Sequence, residues 1–239
     1  MATFLVAHGA WSAGWAWKKM RPLLRARGHE IFTPTHTGLG ERAHLATPEV
    51  DLEMHITDIF GVLESEDLRN AILIGHSYGG MVATGVADRA RARIAKLVYI
   101  DAFAPRDGDS VFSLTPDRRT AMVDAANKSG DGWKMPPGPM PPDTPATDEA
   151  WAMPRRTPQS LKTFEQKLRL HHGELTLPRH FIYCKRCPPD DRFRQFYERA
   201  RREGWGHYEI DASHNPHITA PEVLAGLLDG IGLGRVAGA

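Results

Sequence analysis

The sequence predicts an α/β domain, with a mostly parallel sheet covered by helices on both faces and interrupted once by a long insertion. Three observations carry this. Short apolar runs alternate with longer amphipathic ones from the first residues onward. The alternation stops near residue 105 and resumes near residue 178. The 239 residues, 41% of them hydrophobic, suit one such domain with a small addition.

Residues 3–7 (Thr-Phe-Leu-Val-Ala) read as a buried strand. Residues 14–27 read as a helix, with Trp17, Met20, Leu23 and Leu24 on one face. A second strand, 30–33, is stopped by Pro34, and a turn-rich loop follows over 35–40. Leu52, Ile56, Ile59 and Leu63 recur at helical spacing. Residues 71–74 form a strand ending at Gly75, 81–91 a helix and 94–100 a strand. In the insertion, 133–145 is too rich in Pro, Gly and Met for a regular core element, and helical pieces flank it near 116–128 and 159–170. The alternation then returns with a strand at 180–184, a helix at 191–202, a strand at 206–210 and a closing helix at 221–228 with Pro at its start. The expected organisation is a core of residues 1–104 and 178–239 with a cap over 105–177.

The formal net charge is +1, so no basic face points to nucleic acid. Arg89, Arg91 and Arg93, and Arg199, Arg201 and Arg202, read as solvated helix faces. Cys184 and Cys187 are too close for a good bridge and lack the second pair of a zinc site, so no metal is expected. The first residues already read as a core strand, without the charged start of a signal peptide, and no apolar run is long enough to span a membrane. A cytoplasmic protein is the expectation, with a small molecule as its partner, no nucleic acid or membrane, and a homodimer left open.

Gly75-His76-Ser77-Tyr78-Gly79 matches G-x-S-x-G between a strand and a small-residue helix. In the α/β-hydrolase fold that turn lifts a nucleophilic serine above the sheet edge, so Ser77 is the candidate nucleophile. A hydroxyl needs a base, and in that fold the histidine comes last in chain order. His214 stands just after the final strand, with His217 as its rival. An oxyanion hole needs two backbone N–H donors, expected from Tyr78 and from Ala10 in the loop after the first strand.

His8-Gly9-Ala10-Trp11 with Gly14-Trp15 and Trp17, Gly38-Leu39-Gly40-Glu41-Arg42, the Ser77 motif, and Tyr99-Ile100-Asp101-Ala102-Phe103 together resemble the bacterial esterases related to plant methylesterases and hydroxynitrile lyases, a group that includes pyrethroid-hydrolysing carboxylesterases. The resemblance spans most of the chain and is weakest in the cap. It implies an α/β-hydrolase fold, a Ser-His-Asp triad, no cofactor, and hydrolysis of carboxylic esters with bulky apolar parts. Hydroxynitrile lyases of that group carry threonine where this chain has Gly9 and lysine where it has Asn215, which favours the esterase; esterases usually carry methionine at the latter position.

The family places its acid in the loop after strand 180–184, where this chain has Arg186 and Cys187, neither of which can serve. Asp190 and Asp191 come a few residues late, at positions suited to starting a helix. Asp101 ends the strand after the nucleophile helix, where haloalkane dehalogenases place their acid. Asp101 is the first candidate and Asp190 the next, with Asp191 beside it. Trp11, Phe103, Trp133 and Trp151 are the candidate substrate-binding residues, Trp133 and Trp151 at the entrance. The leading expectation is a carboxylesterase acting through an acyl-enzyme. A lyase or natural-product tailoring enzyme using His214 as base, and a ligand-binding protein with vestigial chemistry, are the alternatives that labelling by an active-site serine probe would separate.

Overall fold

A computed structural model describes residues 1–188 and 191–235. Strand β1 (Thr3–Ala7) opens the chain, followed by a 3₁₀ turn at Gly14–Trp17 and helix α1 (Met20–Ala26). The single helix predicted over 14–27 is thus two pieces. Pro22 lies in the first turn of α1, where its missing N–H is not needed. Strand β2 (Glu30–Phe32) comes next, then helix α2 (Leu52–Ser65), capped by the Asp51 carboxylate accepting from the Met54 N–H at 2.9 Å. Strand β3 (Ala71–His76), helix α3 (Gly79–Arg89) and strand β4 (Ile94–Ile100) complete the first half.

Between β4 and the next long strand the chain forms α4 (Val111–Leu114), α5 (Pro116–Ser129), β5 (Lys134–Met135), α6 (Ala146–Ala152), β6 (Gln159–Ser160) and α7 (Lys162–Glu165). Two expectations are corrected here. The Pro-rich stretch contributes the short strand β5, and 159–170 is not one helix. Met135 pairs with Gln159 and Lys134 with Ser160 in an antiparallel ribbon, which holds the start of that segment extended and leaves one helical turn after it. The core then resumes with β7 (Arg179–Cys184), α8 (Arg194–Arg202), β8 (Gly206–Ile210), α9 (Pro216–Thr219) and α10 (Pro221–Leu233). Helix α8 starts at Arg194 rather than at the predicted residue 191 because Asp191 uses its carboxylate on the turn before it.

The six long strands form one parallel sheet in the order β2-β1-β3-β4-β7-β8. Strand alternation sends Leu5, Ala7, Leu73, Leu97 and Tyr99 to one face, against Ile56, Ile59 and Leu63 of α2 and the apolar side of α3. Phe4, Val6, Ile72, Ile74 and Val98 go to the other, against Met20 and Leu24 of α1 and Leu224 and Leu228 of α10. β3 is buried along its whole length, as a central parallel strand covered on both faces must be. Arg89, Arg91 and Arg93 pair with Glu53, Asp88 and Glu64, so the arginine run does not present free cationic charge. No described helix is long and apolar enough to cross a membrane.

Candidate active site

The site lies at the C-terminal edge of the sheet, where β1, β3, β4 and β8 end. After β3 the chain turns so sharply into α3 that Ser77 holds φ of +54°, a left-handed conformation costly for a residue with a side chain. The turn is pinned by the Ser77 N–H donating to the Ile100 carbonyl at 3.3 Å and the Ser77 carbonyl accepting from the Phe103 N–H at 3.1 Å. Glycine follows because backbone crowds the turn. A methyl on Gly79 would lie 2.0 Å from the Ala7 carbonyl oxygen, and one on Gly80 1.8 Å from that of Phe103.

His214, four residues past β8, directs Nε2 at Ser77 Oγ over 2.9 Å. Its other nitrogen meets Asp101 Oδ2 at 2.7 Å. The carboxylate can only accept, so the imidazole carries its proton on Nδ1 and leaves Nε2 to accept from the serine hydroxyl. The His214 backbone is fixed as well: its carbonyl accepts from His76 Nε2–H at 2.7 Å, and Phe193 stacks on its ring at 5.0 Å and 6°. Asp101 continues past β4 at φ of +42°, with its N–H on the Ile182 carbonyl at 2.8 Å. Its other oxygen accepts the Cys184 N–H at 3.4 Å. Burial pushes the Asp101 carboxyl above the ordinary carboxylate range, and the hydrogen bond from His214 pulls it back.

The rival residues go elsewhere. His217 stacks on Trp17 at 4.8 Å and faces His76 at 4.6 Å. Asp191 accepts from the Tyr183 hydroxyl at 2.5 Å and from the Phe193 N–H at 2.9 Å, so it shapes the turn that presents Phe193 to His214. Asp190 lies outside the described residues. Arg186 forks onto Asp211 at 3.0 and 2.9 Å.

The N–H groups of Ala10, which follows Gly9 in the loop after β1, and of Tyr78, which follows Ser77 in the chain, make no hydrogen bond among the described residues. Gly9 packs directly on the site, since a methyl there would lie 3.1 Å from Ser77 Cβ. Trp11 and Phe103 adjoin these elements, Phe103 being buried against Phe193 at 5.2 Å. Trp133 and Trp151 are placed apart. Trp133 lies beside Gly38, Val50 and Gln159, whereas Trp151 packs edge-on against Trp15 at 5.1 Å in the cluster on the opposite face of the sheet.

Sequence reasoning did not find the buried histidines that flank the site. His8 stacks on His36 at 3.9 Å, and His36 on His55 at 4.7 Å. His8 donates from Nδ1 to the Gly9 carbonyl at 2.9 Å and accepts the His36 N–H on Nε2 at 3.1 Å. His55 donates from Nε2 to the Thr37 carbonyl and accepts the Tyr78 hydroxyl on Nδ1, both at 2.9 Å. Burial lowers His8 to about 3 and His55 to about 4, so the stack is neutral. Their role depends on residues far apart in the chain, and only the His8-Gly9-Ala10-Trp11 motif hinted at any of it.

A six-stranded parallel sheet with a serine raised on the turn after its third strand defines an α/β-hydrolase fold. The chain belongs to the alpha/beta hydrolase family, whose sequence profile matches residues 4–227. A carbendazim hydrolyzing esterase from Nocardioides sp. (strain SG-4G) is 39% identical over 97% of this chain and 100% of its own length. A pyrethroid hydrolase from Sphingobium wenxiniae is 31% identical over 47% of this chain, and that match spans 38% of the relative. Among solved structures, an extracellular alpha/beta-hydrolase from a Paenibacillus species superposes with a TM-score of 0.83 at 24% identity, covering 97% of this chain and 99% of that one. The chain is an esterase-type α/β hydrolase.

Proposed function

We propose that this protein cleaves carboxylic esters with a bulky apolar or aromatic part through an acyl-enzyme on Ser77. The observation that carries the reading is the unbroken hydrogen-bonded chain from Ser77 Oγ through His214 to Asp101. Ser77 Oγ attacks the ester carbonyl as its proton passes to His214 Nε2. Asp101 orients the ring and stabilises the imidazolium that forms, and the Ala10 and Tyr78 N–H groups hold the oxyanion. The alkoxide leaves with the proton from His214. Water then attacks the acyl-serine, gives a proton to His214 and releases the acid as Ser77 regains its hydrogen.

The surroundings support hydrolysis over lyase chemistry. A methyl on Gly9 would already lie 2.8 Å from His76 Nδ1, so the threonine associated with the lyases has no room at that position. The names of two relatives supply test substrates of the expected bulk, carbendazim and a pyrethroid. The experiment is a panel of p-nitrophenyl esters of increasing acyl length run beside those two, with labelling of Ser77 by a fluorophosphonate. Turnover with labelling that Ser77→Ala abolishes is the expected result. Absence of both overturns the reading.

A further inference from the structure

The ribbon β5–β6, inserted between β4 and β7, holds the loop after β1 at two points. The Trp11 N–H donates to Gln159 Oε1 at 3.0 Å, and the Trp11 indole N–H donates to the Met135 carbonyl at 2.9 Å. Gln159 is buried, and both ends of its amide are hydrogen-bonded. Its Nε2 donates to Thr163 Oγ1 at 2.8 Å, and that hydroxyl donates to the Ser160 carbonyl at 2.7 Å, so the amide has one orientation with its oxygen toward Trp11. Phe164, one residue on, packs against Trp11 at 5.7 Å and stacks on Tyr78 at 5.5 Å. The same short segment therefore touches the neighbour of Ala10 and the ring of Tyr78.

These contacts fix the far side of Ala10, whose N–H belongs to the peptide unit before it. A peptide unit is planar, so pinning either of its polar groups orients the other. The Gly9–Ala10 unit is pinned from the core by His8 Nδ1–H on the Gly9 carbonyl. Among the described residues, the Ala10–Trp11 unit is pinned from the insertion alone, by Gln159. Trp11 meanwhile holds φ of +57°, which a large side chain adopts only when its surroundings impose it. Without the amide oxygen, Trp11 relaxes toward an extended conformation, and Ala10 is held on one side only, by the His8 contact to the unit before it.

We infer that Gln159 is a positioning residue that presets the oxyanion hole from the insertion, through the backbone of Trp11. The inference rests on the esterase reading above. It predicts that Gln159→Met, similar in size but with only a weak thioether acceptor, lowers kcat per titrated active site by about 10- to 50-fold, short of the 10²–10³ expected for outright loss of an oxyanion donor. KM should change less than threefold. The inhibition constant of an arylalkyl trifluoromethyl ketone, which forms a tetrahedral oxyanion on serine, should rise in parallel with the fall in kcat/KM. Thr163→Val, which frees the Gln159 amide but leaves it in place, should show the same pattern at a smaller size. Counting sites with a fluorophosphonate separates this effect from loss of folded protein. If both variants label fully and keep kcat and ketone affinity within twofold of the parent, the inference is wrong while the esterase reading stands. It is wrong too if Gln159→Met loses only titratable sites and Thr163→Val is unchanged. A parent protein that neither labels nor turns over esters overturns the functional reading instead.

Discussion

Acid should destabilise this fold steeply because of the histidines buried around the site. Burial lowers His8 and His217 to about 3 and His55 to about 4, against 6.5 for a free imidazole. Each folded value lies below the unfolded one, so the stability these neutral rings contribute is complete above pH 6.5. As the pH falls below 6.5, the unfolded chain binds protons that the native chain excludes, and stability is lost until the folded values near 3 to 4 are reached. At pH 5 the loss is about 2 kcal/mol for each group, or about 6 kcal/mol for the three, and each adds about 1.4 kcal/mol per further pH unit. That approaches the whole stability of an ordinary domain, about 5–15 kcal/mol. His36 and His76 are lowered in the same direction by burial, which steepens the effect. The assay is denaturant unfolding followed by circular dichroism from pH 8 to pH 5 at constant ionic strength. The midpoint should hold above pH 6.5 and fall sharply below it. His217→Phe, which keeps a ring on Trp17, should flatten the slope by about 1.4 kcal/mol per pH unit below pH 5.5. Unfolding midpoints that stay level down to pH 5, or a His217→Phe slope equal to the parent's, would refute the reasoning.

Three further outcomes are expected. Ser77→Ala and His214→Ala should each lower ester turnover by on the order of 10⁴-fold or more, while His217→Phe, which changes a ring stacked on Trp17 and not the one bonded to Ser77 Oγ, should stay within a few-fold in steady-state assays at pH 8. Asp101→Asn should cost on the order of 10³–10⁴ in kcat with the fold retained, because the amide favours the wrong imidazole tautomer, whereas Asp191→Asn should cost little; comparable losses at both would contradict the geometry. Gly80→Ala should abolish soluble expression or Ser77 labelling, since its methyl meets the Phe103 carbonyl oxygen at 1.8 Å; a fully labelled variant would show that the turn can open.

The amino-acid order by itself determined what depends on local pattern. Alternating apolar runs announced the parallel sheet, because a strand buried on both faces must be apolar throughout, as 71–74 is. G-x-S-x-G identified the turn at Ser77, because backbone approaches it too closely for side chains at Gly79 and Gly80. Where contacts cross the chain, the pattern was silent or misleading. Residues 159–170 have helical spacing, yet pairing with β5 draws their first residues into a ribbon. Trp133 and Trp151 look alike as apolar residues of one insertion, but they pack in separate places. The loop after β7 was a natural place for an acid, but only the tertiary structure shows Asp191 facing Tyr183 and Asp101 reaching across to His214 over 2.7 Å. The physical reason is range. Periodicity and turn chemistry act over a few residues, whereas a carboxylate and an imidazole 113 positions apart meet only because β4 and β8, with β7 between them, run parallel and bring their ends to the same edge of the sheet.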